Sequence, residues 1–193
     1  PEAFEAISAM ATRVETLSGE RITRELRHLF AASRPQPGVQ VLHDTGLDQA
    51  SLGLRLQPDA LGLLPPDDAV NAALASTADL KWLVRLAACL DGNVIRDAGS
   101  GRDVADRLAK RLRLSRVERR YLFSLCEGAT QISTGDHLAG HGWQRVAWFL
   151  HKAGGDPAAI YIASMARNGQ AVSARRMGDL ASWCPPECPV TAA

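Results

Sequence analysis

Long apolar runs are missing from this chain of 193 residues: none approaches the roughly 20 residues a membrane-crossing helix requires. No basic-then-apolar leader opens it either. Cysteine is scarce, and Cys89, Cys126, Cys184 and Cys188 fit no disulfide framework and no paired zinc spacing. Cys184-x-x-x-Cys188 is too wide for Cys-x-x-Cys, and Pro185-Pro186 stiffens the segment between them, so reduced thiols of a cytoplasmic protein are expected. No Ser or Cys sits in a recognisable nucleophile elbow, which leaves covalent catalysis without a candidate. Charge of one sign is also lacking overall, since the formal net charge of +1 does not by itself suggest a polyanionic partner.

What is present is apolar residues at helical spacing. Hydrophobic residues make up 46% of the chain, enough to bury a substantial core. The pattern predicts an all-α fold, an irregular multi-helix array with helices near 2–15, 18–33, 37–45, 67–75, 77–91, 102–113, 115–128, 142–153, 156–167 and 172–183. Leu80, Leu83, Val84, Ala87 and Leu90 form one apolar stripe; Val117, Tyr121 and Leu125 form another. Residues 53–66, punctuated by Pro58, Gly62 and Pro65-Pro66, read as a linker between an N-terminal lobe, 1–57, and a helical body, 67–193.

The balanced net charge hides a local excess. Residues 101–120 carry Arg102, Arg107, Lys110, Arg111, Arg113, Arg116, Arg119 and Arg120 against Asp103, Asp106 and Glu118, a balance of +5. Spacings of about three and four gather many of these cations on one side, while Val104, Leu108, Leu112 and Val117 are expected to pack inward. Arginine forks suit phosphate oxygens, so Arg107, Lys110, Arg111, Arg113, Arg116, Arg119 and Arg120 are the candidate RNA-binding residues. A solvated face with local ion pairs would produce the same pattern. Only Tyr121 and Phe123 lie close by, so stacking on single-stranded bases is not the expected mode.

Leu17 to Leu26 holds the most informative stretch. Ser18 is a good N-cap, Glu20 places negative charge at the positive end of the helix, and Ile22, Leu26, Leu29 and Phe30 line one face, with Arg21, Arg24, Arg27 and His28 largely elsewhere. This S-x-E-R-I-x-x-E-L helix (Ser18, Glu20, Arg21, Ile22, Glu25, Leu26), a Pro-containing break and a short helix closing on Thr45-Gly46-Leu47 resemble the bacterial CCA-adding tRNA nucleotidyltransferases and their poly(A) polymerase relatives, downstream of the catalytic head. Residues 82–87 resemble the family's body helix, and residues 108–119 its basic helix and the start of the next.

The resemblance implies a neck, 1–57, followed by a body and partial tail, 67–193, that binds tRNA or another structured RNA by shape and backbone and presents its 3′ end to the chain's own head domain. Ser18, Glu20, Arg21, Ile22 and Glu25 would be the neck's structural motif. The family's catalysis uses Mg²⁺ and a nucleoside triphosphate held by a Gly-Gly-x-x-Arg-Asp turn and paired acidic residues, none of which occur in this sequence, and its Glu-Asp-x-x-Arg element is also missing. A fragment that binds RNA without a catalytic residue or cofactor of its own is therefore the expectation.

Three further features are weighed against this. His43-Asp44 is the dipeptide of helical metal phosphohydrolases, but His28 is the only upstream histidine to join it. His137 and His141 share the spacing of zinc proteases, yet Leu138 stands where the general-base Glu belongs and Gly140 and Gly142 favour a loop. Trp143, Trp148 and Phe149, with Val146 and Leu150, suit a C-terminal core, and Arg145 and Arg175-Arg176 would extend an RNA-facing track. The readings that compete with the RNA-positioning one are a helical protein-interaction module with an incidental basic helix and a divergent phosphohydrolase.

Overall fold

Ser18 starts the helix on which the rest is arranged. Its side chain accepts a hydrogen bond from the Arg21 N–H at 3.3 Å, and α2 runs Gly19–Ala31, following α1 (Glu2–Met10) and a 3-10 segment, Ala11–Thr16. Ile22, Thr23, Leu26 and Phe30 are its buried face, as i, i+4 and i+8 spacing requires. The computed structural model describes residues 2–91, 101–132 and 156–182. The fold is all-α, an irregular helical array, and no strand forms among the described residues beyond one antiparallel bridge between Leu56 and Leu90.

α3 (Gln36–Asp44) ends where the Thr45 hydroxyl donates to the Val41 carbonyl at 2.6 Å. α4 (Leu47–Leu52) lies between Gly46 and Gly53, both left-handed at φ 74° and 72°. Periodicity passes over α4 because six residues are too few to show it. Its fixture is Asp48, a fully buried carboxylate that accepts hydrogen bonds from the Leu56 N–H at 2.9 Å, its neighbour Gln49 N–H at 2.7 Å and the Arg55 guanidinium at 3.3 Å.

That anchor explains why residues 53–66 are not a free connector. Leu54 and Leu56 are buried, and so are Pro58, Ala60 and Leu61 of a 3-10 segment, Pro58–Leu63; the Gln57 N–H donates to the Cys89 carbonyl at 2.7 Å. The prolines and glycine that read as a linker serve a tight strap across the core.

α5 (Asp67–Ala73) leads to a 3-10 segment, Ala75–Leu80, and then to α6 (Lys81–Ala88). The helix expected over 77–91 is 3-10 as far as Leu80 and α-helical only from Lys81, and Thr77 at its start has a non-helical φ of −131°. The Thr77 hydroxyl donates to Asp156 at 3.0 Å and accepts from the Tyr121 hydroxyl at 3.2 Å, which pins the kink. Every residue from Trp82 to Ala88 is buried, making α6 the central helix.

α7 (Gly101–Arg111) and α8 (Arg116–Ile132) follow, joined by a turn in which Arg113 is left-handed at φ 54°. Ser115 and Glu118 form a capping box: the Ser115 N–H donates to the Glu118 carboxylate at 3.0 Å, and the Glu118 N–H to the Ser115 hydroxyl at 3.3 Å. This sets the rotation of α8 so that Glu118, Tyr121, Leu122 and Leu125 face inward. Val117, expected inward, is instead 62% exposed, one step round the helix from that face.

α9 (Pro157–Arg167), capped by Asp156, is buried nearly throughout against α6 and α8, and α10 (Ala174–Ala181) closes over it with Met177 and Leu180. One hydrophobic cluster runs through these elements from Ile22 to Leu180. The helix expected at 142–153 lies outside the described residues.

Replacing Asp48 should expose how much the strap depends on it. Asp48→Ala leaves buried donors unpaired and is expected to lower the unfolding free energy by about 3 kcal/mol, against about 0.5 kcal/mol or less for the exposed Asp44→Ala. Urea denaturation of both variants checks this, and equal losses would remove Asp48 as the anchor.

Candidate nucleic-acid interface

α2 and the α7–α8 turn are locked edge to edge, which brings cations distant in sequence onto one surface. Gly19 lies against the Arg111 carbonyl so closely that a Cβ there would collide with backbone. One helical turn on, the Thr23 hydroxyl donates to the Leu112 carbonyl at 2.5 Å. The next turn contributes Arg27, whose guanidinium donates to Glu118 and lies 5.4 Å from the centre of the Trp82 ring. Three successive turns of α2 are thus fixed to the basic hairpin.

The seven cations expected to bind RNA separate into three groups. Arg111 points inward: its Nε donates to the Ser51 carbonyl at 2.9 Å, and its two terminal nitrogens to the carbonyls of Leu17, Val14 and Glu15 at 3.2 to 3.3 Å. It ties backbone together and is not part of the exposed face, a correction forced by its position at the last turn of α7, beside α2. Lys110 and Arg119 are exposed but share Asp106, at 2.8 and 2.6 Å. The Lys110 hydrogen bond, together with the charges of Lys110 and Arg119, holds the Asp106 carboxyl below its ordinary value. Arg107, Arg113, Arg116 and Arg120 are exposed and form no ion pair among the described residues.

α2 contributes cations that spacing alone did not assign to this face. Its outward side carries Arg24, Arg27 and His28, which with Glu20, Thr23, Leu112 and Arg113 line a cleft of about 460 Å³ between α2 and the turn. The amphipathic pattern placed these side chains off the core; only the docking of the turn shows what they face. Of the neck motif, Ser18 is the N-cap and Ile22 is core, while Glu20, Arg21 and Glu25 are exposed. A backbone N–H, the Ser18 hydroxyl and the charge of Arg113 keep Glu20 below the ordinary carboxylate value. Glu25 pairs with Arg24 at 3.4 Å.

Glu118 backs the whole arrangement. Burial raises its pKa, but hydrogen bonds from Ser115 and the charge of Arg27 outweigh that and leave it lowered. Phe123 is flanked by two guanidiniums, Arg119 at 5.3 Å and Arg102 at 5.8 Å from its ring centre, so its ring is already covered.

The other candidates do not gather. His43 sits 3.5 Å from Asp48 and 3.3 Å from Arg55, Asp44 accepts from Gln40, and no group of three metal-ligating side chains occurs among the described residues. Cys89 and Cys126 are free and buried, and burial pushes both thiols well above their ordinary value. Arg175 is exposed on α10. His137, His141, Trp143, Arg145, Val146, Trp148, Phe149, Leu150, Cys184 and Cys188 lie outside the described residues. No described helix is long and apolar enough to cross a membrane.

Residues 1–52 match the family described as the probable RNA- and SrmB-binding site of polymerase A. No curated protein and no solved structure matches the chain. The matched residues cover α1 to α4, so the outward side of α2 falls inside the RNA-binding region of polymerase A-like chains while the α7–α8 hairpin, outside the match, is packed against it. That match supports an RNA-binding role, and the basic side chains at the α2–turn junction fit it.

The division among the arginines is testable on stability alone. Arg111→Ala strands several carbonyls and is expected to cost about 2 to 3 kcal/mol of unfolding free energy, while Arg120→Ala stays within about 0.5 kcal/mol. Denaturant titration distinguishes them; a neutral Arg111→Ala would return Arg111 to the exposed set.

Proposed function

We propose that the chain is the RNA-positioning C-terminal region of a tRNA nucleotidyltransferase or poly(A) polymerase: neck, 1–57, then body and partial tail, 67–193. One observation carries this reading. The polymerase A match falls on α2, and α2 is fixed to the α7–α8 turn so that Arg24, Arg27 and Arg113 line one cleft, while Arg107, Arg116 and Arg120 are exposed on the same helix pair. Such a surface neutralises phosphates along a folded RNA, releasing counterions, and recognises backbone shape more than base sequence. In the parent protein it would hold the tRNA acceptor end or elbow and present the 3′ end to a head that carries the Mg²⁺ and nucleoside triphosphate. Holding both reactants in place converts an encounter into positioned chemistry.

Exposed apolar residues on α1, Phe4, Ile7 and Met10, favour a second reading, a protein-docking module. The two separate in one titration. The wild-type chain is expected to bind a tRNA with affinity that falls steeply between about 50 and 200 mM salt. Arg107, Arg113, Arg116 and Arg120 changed together to Glu should remove that binding while leaving the unfolding midpoint nearly unchanged. Absence of binding by the wild type at low salt would favour protein docking.

A further inference from the structure

The cleft between α2 and the α7–α8 turn differs from the open surface around it because its central cation cannot swing away. Arg27 lies over the Trp82 ring, and its guanidinium is held from behind by Glu118, itself fixed by the Ser115 N–H. Only part of the arginine fork is used in this way. The side chain remains 52% exposed, and its other N–H groups have no hydrogen-bond partner among the described residues. Arg24, one turn earlier on the same helix and paired with Glu25, and Arg113 of the turn line the cleft with it, and Glu20 is the one acidic side chain among the lining residues. Cations therefore outnumber carboxylates among the lining residues, with Glu118 and Glu25 bonded to Arg27 and Arg24.

We propose that this cleft seats one phosphate of the bound RNA backbone, with Arg27 as its fixed ligand and Glu118 as the residue that positions Arg27. The inference rests on the RNA-binding reading and goes beyond it. A diffuse basic face ranks its cations by charge alone, whereas a seated phosphate ranks them by geometry. Two N–H groups presented in a plane match two phosphate oxygens, and a lysine ammonium at the same place keeps the charge but loses the fork. Pre-orientation by Trp82 and Glu118 removes most of the side-chain ordering cost that a free surface arginine would incur on binding. Arg24, paired with the exposed Glu25, and Arg113 supply further donors from the cleft's lining.

The test uses the whole chain and a short fluorescent RNA hairpin, with binding followed by anisotropy across a salt series. Arg27→Lys is expected to weaken binding about tenfold with the salt dependence nearly unchanged, and Arg120→Lys less than about twofold. Glu118→Gln gives the opposing forecast. By charge alone the loss of a carboxylate would strengthen RNA binding, whereas loosening Arg27 is expected to weaken it severalfold. Unfolding midpoints are measured for each variant, so that binding is compared only where the fold is intact.

Competition with inorganic phosphate and tripolyphosphate separates the sources of the group. Failure of these anions to displace the hairpin, with the Arg27→Lys loss present, supports a backbone phosphate. Displacement of RNA from wild type but not from Arg27→Lys would identify a free-phosphate site and overturn the backbone assignment. Equal binding of the hairpin by wild type and Arg27→Lys, or tighter binding by Glu118→Gln, overturns the seated phosphate while leaving general RNA binding in place. Only absence of wild-type binding removes the RNA reading itself.

Discussion

Guanidinium groups bonded to the carbonyls that helix ends leave unpaired hold this array together. An α-helix ends with four carbonyls that have no partner inside it, and a fold made of short helices has many such ends to satisfy away from water. Arg85, only 2% exposed on the central α6, donates to Phe30 at 2.5 Å and Ala32 at 2.9 Å, closing the C-terminus of α2, and its other arm meets Asp67. Arg167 on α9 donates to the Ala87 carbonyl at 2.7 and 3.1 Å, closing α6. Arg111 gathers the carbonyls of Val14, Glu15 and Leu17 just before α2 and that of Ser51 in α4. Each tie joins elements far apart in sequence, so the arginines do work that a sheet's backbone ladder would do in another fold. The cost of burying the cation is offset by multiple bonds: Arg85 and Arg111 each meet three or more acceptors, and Arg167 gives two N–H groups to one carbonyl.

This use of arginine determines what is left for RNA. A fork that satisfies backbone carbonyls is the same fork that would satisfy phosphate oxygens, and any one N–H edge can do only one of these at a time. The inward set, Arg85, Arg111 and Arg167, fixes the frame; the outward set, on α2 and around the α7–α8 turn, rides on it. Arg27 belongs to both, since one edge is committed to Glu118 and the rest is open. The geometry of the outward cations is therefore inherited from the inward ones: Arg111 sets where the turn sits, and the turn sets what Arg24 and Arg27 face.

Elements with strong local signals were legible in the sequence. The cap at Ser18, the apolar face of α2, the buried run of α6 and the basic α7–α8 pair all follow from side chains within a few residues of one another. Features decided by distant partners were not. The kink at Thr77 depends on Asp156 and Tyr121, the burial of residues 53–66 depends on Asp48 and on pairing with Leu90 and Cys89, and the inward turn of Arg111 depends on carbonyls about 94 positions away in the chain. Val117 fits an apolar stripe on paper, but the capping box sets the helix one step away from it. At the interface the sequence marked the basic hairpin by composition, while the contribution of α2 needed Gly19 and Thr23 to show where the hairpin docks.

The distribution of carboxylates then concentrates the surface's effect. Asp106 serves Lys110 and Arg119 midway along the hairpin, so the field there is weak at long range. Near the turn, Arg113, Arg116 and Arg120 form no ion pair among the described residues, and the outward cations of α2 add to them. Exposed ion pairs are individually weak, so an arriving phosphate can displace Asp106 from Lys110 or Arg119 at small cost once it is near. On the proposed RNA-binding reading, encounter would be governed by the turn and final contact by the whole face. Because three turns of α2 are bonded to that turn, the phosphates of a folded RNA would meet a surface of fixed spacing, which is what the proposed recognition of an A-form backbone by shape requires.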